Sequence, residues 1–174
     1  MHMEFPIECK CSHRGERFQL AFARKAMQML PEREETAFEP TADGLTLLAE
    51  TEMALERPIS ILREVYGEEL RIEPVAVRYK RGESVQEPHM GVRLLCAPNQ
   101  FEALQLDLQN RGAKILDAEL RRQFGVLRAT APLTALVGYP ARVAKLTSGR
   151  GQLVMWLSHY APVEEPPAGG GDAA

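Results

Sequence analysis

Two stretches of the chain repeat one order of strand-like and helix-like patterns, and that repeat limits the fold more than any single motif does. The first opens with Phe5-Pro6-Ile7-Glu8-Cys9-Lys10-Cys11, whose alternation of apolar and polar residues predicts a half-buried strand. A helical stripe follows at Phe18, Phe22, Ala26 and Met29 and is stopped by Pro31. Thr36 to Phe38 and Leu45 to Ala49 predict two strands joined by an Asp43-Gly44 turn. A second stripe, Leu55, Ile59, Leu62 and Tyr66, ends at Gly67, and Leu70 to Val77 completes the unit as a strand. Pro58 falls inside that second stripe. An interior proline costs about 3 kcal/mol, so the helix is expected to start near Arg57 or to bend.

The second stretch repeats the order. Met90 to Cys96 predicts a strand, and Pro98-Asn99 a helix start with Asn99 as N-cap and Glu102 three residues on. Phe101, Leu104 and Leu108 form the buried face of that helix, which Gly112 closes. Ile115 to Phe124 and Val126 to Ala131 predict a hairpin turning at Phe124-Gly125. Leu133 to Thr147 predicts a second helix with Pro140 awkwardly inside it, and Leu153 to Tyr160 the last strand. Two consecutive βαββαβ units imply an α+β protein of two tandem ferredoxin-like sandwiches, spanning 1–80 and 86–162. The polar joint Lys80-Arg81-Gly82-Glu83-Ser84 is expected to be a linker. The Pro- and Gly-rich stretch 163–174 is expected to be a disordered tail.

Charge divides the same way. Residues 1–87 carry 12 Lys and Arg against 17 Asp and Glu, whereas residues 88–162 carry 9 against 4. The second unit is therefore the half suited to a polyanion. No run of about 18 apolar residues occurs, nor a leader-like segment before Glu4, which predicts a cytoplasmic protein without membrane contact. Three cysteines, Cys9, Cys11 and Cys96, do not make a disulfide framework.

The segment from Leu146 to Gly151 carries the most chemistry. A glycine on either side of Arg150, after a helical stripe and before a strand, predicts a sharp helix-to-strand turn, which glycine suits because the helix C′ position usually needs a positive φ. Together with Gly138-Tyr139 upstream and His159-Tyr160 downstream, Leu146-Thr147, Gly149-Arg150-Gly151 resembles the last domain of the elongation factor G family. Glu87-Pro88-His89-Met90, Val92, Pro98 and Asn110-Arg111 resemble the start of the same domain, so the likeness spans about residues 86–162. The first unit is similar to the family's third domain. Glu52-Met53-Ala54-Leu55-Glu56 stands where that family has its ELHLE, although Ala49, Glu50 and Thr51 replace a Gly-Met-Gly. The resemblance implies a ribosome-associated protein whose second unit rests on large-subunit ribosomal RNA. It also implies a chain without the GTPase domain, and with a short connection where the family's tRNA-mimicking fourth domain lies. No G-x-x-x-x-G-K-[ST] occurs in the chain, so no GTP binding is expected of it.

On this reading Arg150 offers its fork to a phosphate, and Arg111, Lys114, Arg142 and Lys145 extend the contact, with Arg121, Arg122 and Arg128 nearby. The bland alternative is a solvated basic face whose glycines serve only the turn. A protein-binding or self-associating module that kept the fold and lost the ribosome is the competing function. Base reading through the sheet is not expected, because Val126-Leu127-Arg128-Ala129 offers no aromatic. Cys9, Cys11 and His13 alternate on one strand face and are the candidates for a metal. Buried structural thiols are the simpler explanation, and no metal or other cofactor is expected. No nucleophile–base or metalloprotease motif occurs, so no catalysis is expected either.

Overall fold

The computed structural model describes residues 4–164. Ten strands and five α-helices follow in the order β1 (Ile7–His13), α1 (Gln19–Met27), β2 (Thr36–Thr41), β3 (Gly44–Ala49), α2 (Glu52–Tyr66), β4 (Leu70–Ile72), β5 (Ala76–Val77), β6 (Lys80–Arg81), β7 (Val85–Cys96), α3 (Phe101–Asn110), β8 (Lys114–Leu120), β9 (Gly125–Pro132), α4 (Leu133–Leu136), α5 (Tyr139–Leu146) and β10 (Gln152–Pro162). They build two antiparallel sheets, in the orders β2-β3-β1-β4 and β10-β7-β9-β8. In each sheet the first and third long strands are central and the second and fourth lie outside, which is the ferredoxin-like arrangement. The chain is an α+β protein of two such units, as its repeated pattern predicts.

The cores are made by the residues whose periodicity marks them. Cys9, Cys11, Leu45 and Leu47 face Phe22, Ala23, Ala26, Leu55 and Leu62 in the first unit. Met90, Leu94 and Leu127 face Phe101, Leu104, Leu108 and Tyr139 in the second. A fully buried leucine such as Leu62 or Leu104 contributes about 1.5–3 kcal/mol. The Gln19 side chain ties α1 to the end of β1, accepting from His13 N at 2.9 Å and donating to His13 O at 2.8 Å. The ends of the α1 stripe lie outside the core: Phe18 precedes the helix and is 67% exposed, and Met29 follows it.

Several boundaries differ from the sequence expectation for physical reasons. Helix α2 begins at Glu52, not near Arg57. Thr51 accepts from Ala54 N at 3.3 Å, and Pro58 sits inside the helix and buried, so apolar contact outweighs its missing N–H. The last strand of the first unit is two short pieces, β4 and β5, that both pair with β1 on either side of Pro74. Asn99 does not cap α3. A turn of 3-10 helix over Pro98–Gln100 comes first, and Gln100 Oε1 reaches back to Ala97 N at 3.3 Å. The second hairpin turns at Arg121–Phe124, closed by Arg121 N to Phe124 O at 2.8 Å, one step before Phe124-Gly125.

The expected helix from Leu133 to Thr147 is two helices. Val137 leaves the helix with an extended ψ of 127°, Gly138 follows in the left-handed conformation at φ +78° and starts α5 afresh, and Pro140 then falls in the first turn, where its missing N–H loses nothing. The joint 80–84 forms the turn of a short hairpin in which Lys80 pairs with Gln86 and Arg81 with Val85. Of the stretch 163–174, Val163 donates to Val85 O at 3.0 Å, and the portion from 165 onward lies outside the described residues.

Candidate nucleic-acid interface

The glycine–arginine turn is braced by one hydroxyl in addition to its backbone bonds. Thr147, at the end of α5 and almost fully buried, donates its Oγ1–H to Val143 O at 2.7 Å, and the same oxygen accepts from Gly151 N at 2.9 Å. Gly149 takes φ +76° and donates to Ala144 O at 2.8 Å, closing the helix. Gly151 is required for space: a Cβ there would lie 2.8 Å from Thr147 Cγ2 and 2.9 Å from its hydroxyl oxygen. Arg150, between the two, is exposed, and among the described residues no carboxylate lies within 4.0 Å of Arg150 or Lys145. The turn thus presents a free guanidinium on a rigid base.

Strand order decides which other cations join it. Gln152 pairs with Leu95, Cys96 with Gly125, and Leu120 with Gly125, so the turn shares one end of the sheet with the Arg121–Phe124 turn and the start of α3. Lys145, in the last turn of α5, belongs to this end, with Arg121 and Arg122. Arg121 is spoken for by Glu119. Arg111 and Lys114 sit at the opposite end: Lys114 pairs with Thr130, five residues along β9 from Gly125, or about 17 Å, while Arg142 lies between, one turn of α5 from Lys145. The expected patch of Arg150, Arg111, Lys114, Arg142 and Lys145 is therefore spread along the unit, with Arg111 and Lys114 farthest from Arg150.

Two of these cations, Arg111 and Arg142, serve the fold. Arg111 Nε donates to Asp107 Oδ2 at 3.0 Å, its Nη1 donates to Ala135 O at 3.2 Å, and its guanidinium lies 5.1 Å from the Tyr139 ring centroid. Arg142 Nε stands 3.5 Å from the other oxygen of Asp107. Tyr139 is fully buried, and burial, with Asp107 beside it, pushes its hydroxyl well above the usual range. Gly138 meets the first unit here: its N–H donates to both carboxylate oxygens of Glu52, at 3.0 and 3.2 Å. Burial raises the pKa of Glu52, and the Gly138 bond and Arg111 oppose the rise.

Cys9 and Cys11 are buried in the first core, and Cys9 Sγ contacts Glu73 O at 3.4 Å. The Cys11 thiol, hydrogen-bonded to Cys9 and desolvated, is pushed up, away from the thiolate that zinc requires, while the same bond lowers Cys9. His13 turns its ring to Phe22 and Tyr66, with Nδ1 taken by Gly15 N at 3.1 Å. Among the described residues no three His, Cys, Asp or Glu side chains cluster as metal ligands would. His159 stacks on His89, with centroids 4.9 Å apart.

Sequence reasoning missed one aromatic on the outer sheet face. Trp156, on β10, lays its indole over Gly91 of the central strand β7: a Cβ on Gly91 would stand 2.2 Å from Trp156 Cε2. The available signal was the glycine inside a strand pattern, which marks close approach of another group.

Residues 84–169, just under half the chain, match the family model described as elongation factor G C-terminus. Elongation factor G of Ureaplasma parvum serovar 3 is 33% identical over 75 residues, which is 43% of this chain and 11% of that protein. Elongation factor G 2 of Vibrio cholerae is 34% identical over 83 residues, covering 48% of this chain and 12% of its own length. The matched region is thus elongation factor G C-terminus-like, and it spans about a tenth of the curated relatives. A crystal structure of a protein from Thermus thermophilus superposes with a TM-score of 0.65 at 16% identity, covering 96% of this chain and 42% of that one, which shows the fold. No helix of the described residues is long and apolar enough to cross a membrane.

Proposed function

We propose that this chain is a non-catalytic, cytoplasmic, translation-factor-like protein that associates with the ribosome, setting the Arg150 end of its second unit against large-subunit ribosomal RNA. The observation that carries this reading is Arg150 itself. It stands exposed and unpaired on a braced turn, inside the stretch that matches the elongation factor G C-terminus. The exposed cations Arg122 and Lys145 share its end of the sheet. Such contacts to phosphate fix position and orientation and carry no base sequence. Arg111 and Arg142 act differently, as the counter-charges of Asp107. The first unit stands in the place of the family's third domain, bonded to the second through Glu52 and Gly138.

Co-sedimentation with purified ribosomes across a salt series tests the reading. The bound fraction should fall as salt rises, because phosphate contacts release counterions. Replacing Arg150 and Lys145 together with alanine should weaken binding and flatten the salt dependence. Failure to co-sediment at the lowest salt would remove the ribosome. A salt-insensitive oligomer in light scattering would then favour a self-associating module.

A further inference from the structure

The outer face of the second sheet carries a flat aromatic and a like-charged pair that no intramolecular partner accounts for. Strand alternation sends Met90, Val92, Leu94, Leu127 and Ala129 under the helices, and turns Gly91, Arg93, Arg128 and Trp156 to the other side. Arg93 and Arg128 stand directly opposite each other on the two central strands. Like charges so placed oppose sheet formation. Asp117 is in register with Arg128 on the edge strand, yet among the described residues no carboxylate comes within 4.0 Å of either arginine. Trp156 is 42% exposed, although its ring lies flat across the centre of the sheet over Gly91. Arg93 is two residues from Gly91 on the same strand, about 7 Å along it. The stacked His89 and His159 rings lie next to Gly91 and Trp156 on β7 and β10.

We propose that this face binds single-stranded nucleic acid, with a base stacked on the Trp156 indole and adjoining phosphates held between Arg93 and Arg128. Adjoining phosphates, one for each arginine, supply the counter-charges that the pair lacks, and an exposed indole face accepts any unpaired base. A duplex hides its base faces and suits the site less. The surface is separate from the Arg150 end of the sheet, so the proposal stands or falls independently of ribosome association.

Trp156 is the chain's only tryptophan, so its fluorescence reports on this site alone. The full chain is titrated with a 12-nucleotide oligouridine, its duplex with oligoadenosine, and a polyglutamate peptide. Saturable quenching by the single strand, weaker by the duplex and absent with the peptide, is the expected result. In a labelled-oligonucleotide anisotropy assay, Trp156→Ala should weaken binding about tenfold. Trp156→Phe should keep most of it. Arg93→Gln with Arg128→Gln should lower the salt slope by about 1.4, the value for two phosphates on a single strand. If Trp156→Ala does not fold by circular dichroism, the phenylalanine and paired-glutamine variants decide. Equal quenching by duplex, or by polyglutamate, overturns the proposal, the latter in favour of an acidic protein partner. Binding lost with Arg150→Ala but kept with Trp156→Ala overturns it as well.

Discussion

Thr147 shows how much one side chain decides at the glycine–arginine turn. Its hydroxyl serves both the end of α5 and the start of β10, through Val143 O and Gly151 N. Thr147→Val leaves the Gly151 N–H without a partner and should cost about 1–3 kcal/mol in urea unfolding. Gly151→Ala drives a methyl into Thr147 and should cost a similar amount, about 1–3 kcal/mol. The double variant should cost less than the sum, since both remove one bracket. Additive losses would show that the turn is held by something else. The positive φ of Gly149 was legible, because a helix ending before a strand demands it. The demand on Gly151 was not, because it arises from a neighbour's methyl group and not from its own backbone. The Asp107–Arg111 pair was legible in principle as a four-residue spacing on a helix. That spacing alone takes Arg111 off the phosphate surface.

At the scale of elements, apolar periodicity located nearly every helix and strand but could not say where one helix becomes two. The stripe from Leu133 continues past Gly138 without a break in hydrophobic spacing, so pattern alone joins α4 to α5. What separates them is an extended Val137 followed by a left-handed Gly138, and that resolves the apparent fault at Pro140. Pro140→Ala should therefore change stability by no more than about 0.5 kcal/mol in thermal unfolding. Gly138→Ala should cost about 1–2 kcal/mol, the penalty of a side chain in the left-handed region. A large loss at Pro140 would contradict its place in the first turn. In α2 the opposite held: the sequence argued for a late start or a bend, and Thr51 and a buried Pro58 carry one helix through from Glu52. Helix propensity is local, and burial is supplied by the rest of the unit.

Across the whole molecule, the repeated order was enough to give both sheets, because βαββαβ is the signature of the ferredoxin-like sheet with both helices on one face. The cationic surface was not legible from the same order. Residues of the same sign, such as Lys114 and Arg150, are sent to opposite ends of the sheet by strand register. The link between units was also hidden, since Glu52 and Gly138 are 86 residues apart. That link has a pH signature. Burial holds the folded-state pKa of Glu52 above its ordinary value of 4.5. Its contribution to stability is thus full below about 4.5 and is lost as pH rises through the raised folded value. Glu52→Gln, which keeps an acceptor for Gly138 N–H and carries no charge, should unfold at higher urea than the parent at pH 7. The difference should vanish by about pH 4. An unchanged difference across that range would mean the carboxylate does not bear the cost of burial.

The connection between the two sheets has a mechanical consequence. Arg78 N–H donates to Pro6 O beside the first sheet, and Lys80 is already paired in the second, its ammonium 4.1 Å from the Tyr160 ring centroid. Only Tyr79 stands between. The halves are spliced, not tethered: force applied to one sheet arrives at the other without slack, and a load on the Arg150 end would be felt at β1.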